Sequence, residues 1–142
     1  MNKRINDAMV IANRVQRDLS RLMELAQDIE ERTEVNALTS QEKADYGLLM
    51  QVLNYGHALN WRMKFALAVE HVEGVLIKQP NGRYAVDGNP FYELTSGRTI
   101  QYRDPETGVY YTSAVEHNGT DYYIVDYGRN EPIEYLQVCI KA

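Results

Sequence analysis

The stretch from Ala44 to Val69 holds no proline and carries apolar residues on more than one side of a helix, an arrangement that few small folds can shield. At helical spacing Leu48, Leu49, Val52, Leu53, Tyr55, Leu59, Met63, Ala66 and Leu67 fill one broad arc, with Gly56 and Asn60 inside it. Met50, Trp61 and Phe65 form a second stripe on the opposite side, with Asn54, His57 and Ala58 between them. Exposed apolar surface costs about 25 cal/mol per Å² relative to burial, so two apolar sides demand two partners. One is expected to be the helix before it. The other is the domain that follows, a second copy of the chain, or a foreign target.

The helix before it is written as a heptad seam. Ile5, Ala8, Ala12, Val15, Leu19, Leu22, Ala26 and Ile29 alternate three-residue and four-residue steps. Its outer side carries Arg14, Arg17 and Arg21 at helical spacing, followed by Glu24, Asp28 and Glu31. Acids at a helix C-terminus oppose the macrodipole, which predicts a weak last turn near Glu30 to Thr33. Residues Thr33 to Leu38 break the period, and Thr39-Ser40-Gln41-Glu42 then offers a capping box for the second helix. Each helix runs to about thirty residues, roughly 45 Å, and the link is short. An antiparallel hairpin follows.

Beyond His71-Val72-Glu73-Gly74 the period changes from helical to alternating, and turn signals recur. Pro80-Asn81-Gly82, Asp87-Gly88-Asn89-Pro90, Thr95-Ser96-Gly97, Asp104-Pro105-Glu106-Thr107-Gly108 and Asn118-Gly119 separate short runs rich in branched and aromatic residues. Asn118-Gly119 predicts a two-residue hairpin turn, which would pair Val115 with Tyr122, Ser113 with Ile124 and Tyr110 with Tyr127. Leu136, Val138 and Ile140 share one side of a last strand, with Tyr135, Gln137 and Cys139 on the other. The expected fold class is α+β, a coiled-coil-like helical hairpin over 1–73 followed by a small SH3-like barrel of five or six antiparallel strands over 74–142.

Residues Glu93 to Ala142 resemble a small domain of unknown function found in Firmicutes and their mobile elements. The likeness is carried by Gly97 and Ile100, Val115-Glu116, Tyr122-Tyr123-Ile124 and the closing Leu136-Gln137-Val138-Cys139-Ile140. Where that pattern has a basic residue, this chain has Ala114. The resemblance implies a bacterial or phage setting and assigns no catalytic residue.

The chemistry on offer is sparse. The three histidines, His57, His71 and His117, are scattered and show no metal-ligand spacing with Cys139. A single cysteine excludes an intrachain disulfide and points to a reducing, cytoplasmic setting. There is no nucleophile elbow around Ser96 or Ser113 and no glycine-rich phosphate loop. No catalytic constellation, cofactor or metal is expected. The N-terminal segment has no signal-peptide core, and no run approaches the length of a membrane span. Formal net charge is −5, and the second half holds six basic against ten acidic residues. That balance disfavours a general phosphate-binding surface.

Tyrosine is the unusual component, with eleven against one Trp and two Phe. Both faces of the predicted hairpin carry tyrosines, so one set is expected outward as contact area. Tyrosine also simply suits half-buried strands. The candidate protein-binding residues are Met50, Trp61, Phe65, Tyr110, Tyr123 and Tyr127, with self-association through the helices. The alternative is nucleic-acid binding through Arg14, Arg17 and Arg21, for which the bland reading is a solvated face.

Overall fold

The computed structural model describes residues 2–68 and 71–141. The chain divides into two units, Met1–Lys64 and Phe65–Ala142.

The first unit is a pair of helices in contact. Helix α1 (Lys3–Arg32) opens on Asn2, whose side-chain oxygen accepts the Ile5 N–H at 3.2 Å. It runs through the turn expected to be weak, where Arg32 reaches back to Asp28 at 2.8 Å. A 3-10 turn at Val35–Ala37 leads to α2 (Ser40–Ala66). The capping box forms as read: Thr39 Oγ1 accepts the Glu42 N–H at 3.2 Å, and the Glu42 carboxylate accepts the Thr39 N–H at 3.0 Å. Those bonds hold the Glu42 carboxyl below its ordinary pKa.

The seam between the helices departs from the predicted heptad. Met23 and Ala26 are buried, and Ala12, Gln16, Leu19 and Ser20 half-buried, while Ile5, Val15 and Leu22 stay in water. The reason is a polar trio in the seam. Ser20 Oγ donates to Asn60 Oδ1 at 3.0 Å, and Gln16 Nε2 lies 2.8 Å from Ser20 Oγ and 3.4 Å from Asn60 Oδ1. Next to it Gly56 lets α1 approach, since a Cβ there would sit 3.6 Å from a Leu19 methyl and 3.7 Å from the Met23 sulfur. This arrangement turns Leu19 and Met23 toward α2 in place of Val15 and Leu22.

The second unit is a curled antiparallel sheet, a half-barrel of seven strands rather than five or six: β1 (His71–Lys78), β2 (Tyr84–Val86), β3 (Asn89–Glu93), β4 (Thr99–Arg103), β5 (Tyr110–His117), β6 (Tyr122–Ile124) and β7 (Gln137–Lys141). Their order across the sheet is β3-β2-β1-β7-β4-β5-β6, so the last strand lies at the centre. Pairing with β7 also explains why β1 begins at His71, before the expected change at Gly74: His71 to Val75 take Lys141 to Gln137 as partners. The core gathers Leu76, Val86, Leu94, Ile100, Val115, Ile124, Ile133, Val138 and Ile140, all essentially without solvent contact, together with Tyr84, Tyr102 and Leu136.

The β5–β6 register differs from the prediction. Val115 pairs with Ile124, Glu116 with Tyr123 and His117 with Tyr122. The loop therefore has four residues, 118–121. Asn118 Oδ1 caps it by accepting the N–H groups of Thr120 and Asp121, both at 2.9 Å, and His117 Nδ1 accepts the Gly119 N–H at 3.0 Å. These bonds hold Thr120 and Asp121 in the loop and out of the ladder. A slip of two residues keeps each side chain on its predicted face while changing its neighbour.

Candidate interaction surfaces

The first unit exposes an apolar face. On α2, Leu48, Tyr55 and Leu59 are 60%, 75% and 54% exposed, and with half-buried Val52 they repeat at four-, three- and four-residue steps. Leu19 of α1 joins Leu48, Gln51, Val52, Tyr55, Gly56 and Leu59 around an open hollow of about 370 Å³. Missing bulk at Gly56 makes the hollow, and Tyr55 stands beside it as a knob. On α1 the exposed residues Ile11, Val15, Leu22 and Leu25, with half-buried Ile29, form a column beside Leu19 at heptad spacing, Asp18 taking the one remaining step. The broad arc read from the sequence thus splits in two. Leu49, Leu53 and Met63 are half-buried, and Leu48, Tyr55 and Leu59 look away into solvent.

The second predicted stripe does not act as one surface. Met50 is half-buried, Trp61 is 57% exposed, and Phe65 is buried. Phe65 belongs to the second unit, where its ring lies 5.4 Å from that of His71 and its carbonyl oxygen 3.0 Å from His71 Nε2. A carbonyl only accepts, so His71 carries its proton on Nε2. Phe65 is therefore a packing residue.

The three predicted tyrosines are also divided. Tyr110 is exposed, and Tyr123 is half-buried beneath the Arg129 guanidinium at 5.7 Å. Tyr127 instead folds back against the core, its ring edge-on to Tyr102 at 5.4 Å, because the chain turns at Val125 to Tyr127 where the shifted register ends β6. In place of a three-ring face the second unit has an acidic, aromatic hollow of about 440 Å³. Tyr102, Asp104, Pro105, Glu106, Asp126, Tyr127 and Glu131 line it. Burial raises the Tyr102 hydroxyl pKa, and the nearby Asp126 and Asp104 charges raise it further.

Tyr84, Asp121 and Lys78 are tied into the fold of the second unit. The Tyr84 hydroxyl donates to Asp121 at 3.0 Å, and Lys78 Nζ lies 3.5 Å from the same oxygen. Burial, with the Asp121 bond and charge, pushes Tyr84 up to about 12. Burial works to raise Asp121 as well, but its bonds from the Tyr122 N–H, Tyr84 and Lys78 outweigh that and leave it lowered. Burial and then the Glu73 carboxylate, 3.6 Å from the sulfur, push Cys139 up to about 11, which leaves it a poor nucleophile. Arg14, Arg17 and Arg21 lie exposed along α1. No cluster of metal-ligating side chains occurs among the described residues. None of the described helices is long and apolar enough to cross a membrane.

Sequence reading missed the hairpin face as a distinct surface. Its signal was present in the spacing of Ile11, Val15, Leu22, Leu25 and Ile29, which runs beside the assigned seam and shares three of its residues. No family model, curated protein or solved structure matches the chain.

Proposed function

We propose that this chain is a non-enzymatic protein-contact module of bacterial or mobile-element origin, an inhibitor or accessory factor that works by occupying a partner's surface. One observation carries the reading: Leu48, Tyr55 and Leu59 lie in water along a single helical face beside an apolar hollow. A continuous apolar patch of this kind on an otherwise charged chain marks a contact site. The acidic hollow of the second unit adds a contact of different chemistry. Its carboxylates and tyrosine rings suit a basic side chain of a protein partner and repel phosphate.

The test is cross-linking in a bacterial host, comparing the chain with a Leu48→Glu/Leu59→Glu variant whose circular dichroism shows it folded. The wild-type chain is expected in a defined complex, with itself or with another protein, and the variant as a free chain. Wild-type protein that cross-links to nothing contradicts the reading.

A further inference from the structure

We infer that the occupant of the hairpin face is a second copy of this chain, packed so that two hairpins make a four-helix bundle. The inference rests on the contact-module reading and names its partner.

The two helices are held in a register that suits a second copy. The approach of Leu19 and Met23 to Gly56 sets Gly56 level with the turn between them, and the Ser20–Asn60 bond holds the two helices within about one turn of that height. Because they run in opposite directions, Leu22 is then level with Tyr55, Leu25 with Val52 and Ile29 with Leu48. A two-fold axis parallel to the helices moves no residue along the bundle, and it lays α1 of one copy on α2 of the other. Leu22 therefore meets the partner's Tyr55, Leu25 the partner's Val52 and Ile29 the partner's Leu48. Every neighbouring pair is antiparallel, as in an up-down bundle. Such an axis preserves heights in any hairpin; particular to this one is that exposed and half-buried apolar residues of α1 and α2 stand at matching heights, with Asp18 opposite Leu59 as the polar exception.

The exposed apolar area also suits a second copy. Tyr55, Leu48, Leu59, Ile11, Val15, Leu22 and Leu25 together leave on the order of 700 Å² in water, near the roughly 800 Å² per partner of a standard stable interface.

Charge does not oppose a second copy. The outer side of α1 carries both signs, Arg14, Arg17 and Arg21 followed by Glu24, Asp28 and Glu31. A one-signed edge would select an oppositely charged foreign partner and repel an identical chain. An edge of mixed sign does neither.

Light scattering on the purified full chain tests this. The expected mass is twice the 16.4 kDa of one chain. Leu48→Glu/Tyr55→Glu is expected to run at the single-chain mass with its helical circular dichroism kept, and Trp61→Glu, outside the face, to remain a dimer. Should the double variant fail to fold, Tyr55→Ala serves in its place, with a dissociation constant raised about tenfold or more. Wild type at the single-chain mass up to its solubility limit overturns the inference, as does a folded double variant that stays dimeric. If the monomeric wild type still cross-links in cells to a different protein through Leu48 and Leu59, the contact-module reading survives and only the second copy is excluded. If it cross-links to nothing, both fall.

Discussion

The two units solve the problem of burial in opposite ways. The half-barrel turns one face of a sheet onto itself and seals a core from Leu76 to Ile140 inside a single chain. Among the described residues of its first unit the hairpin buries just Met23, Ala26 and a hydrogen-bonded Asn60, and it leaves a column of leucines and a tyrosine in water. A sheet that curls makes its own second layer. Two helices have one shared seam, so a wide apolar arc on each necessarily outgrows it.

The contrast breaks most visibly if core truncation in the half-barrel is tolerated. Ile124→Ala removes a fully buried side chain and is expected to destabilise the second unit by about 2–5 kcal/mol in urea titrations followed by tyrosine near-ultraviolet circular dichroism. An alkaline titration probes the same unit. The Tyr84 pKa lies near 12 in the folded protein against an ordinary 10.0, so its contribution is full below pH 10 and is lost as pH rises toward 12. It is on the order of 2 kcal/mol, and Tyr84→Phe should flatten that part of the stability–pH curve.

Gly74 tests how tightly the sheet is filled. A Cβ there would lie 2.6 Å from a Val86 methyl, so Gly74→Ala should cost about 1–3 kcal/mol, and adding Val86→Ala should recover part of the loss beyond additivity in a double-mutant cycle. The smallest effect belongs to the hairpin. Thr39→Ala removes the cap of α2 and should lower helical stability by about 1 kcal/mol in thermal unfolding followed by helix ellipticity, leaving the tyrosine signal of the half-barrel in place.

Local signals carried the fold well. The capping box at Thr39, the Thr99–Arg103 strand and the turn at Gly82, which adopts φ 85° and donates to the Gln79 carbonyl at 2.9 Å, all rest on residues close in sequence. What needed long-range information was less visible. Nothing local says that β7 inserts between β1 and β4, or that Asp121 holds the Tyr84 hydroxyl across the curl. The β5–β6 register failed because Asn118 bonds to Thr120 and Asp121 instead of forming the shorter turn its Asn-Gly pair favours. On α1 two overlapping heptads were written, and the Gln16–Ser20–Asn60 trio together with Gly56 decides which of them faces α2. The polar residues in the seam thus left the better hydrophobic column outside.

Amide hydrogen exchange across a dilution series tests this division of labour most directly. Protection over Val15–Ile29 and Leu48–Leu59 should climb with chain concentration, while strands β1, β4, β5 and β7 stay equally protected throughout. Helices as protected in the most dilute sample as in the most concentrated would show that the hairpin stands complete without a second copy, contrary to the account given.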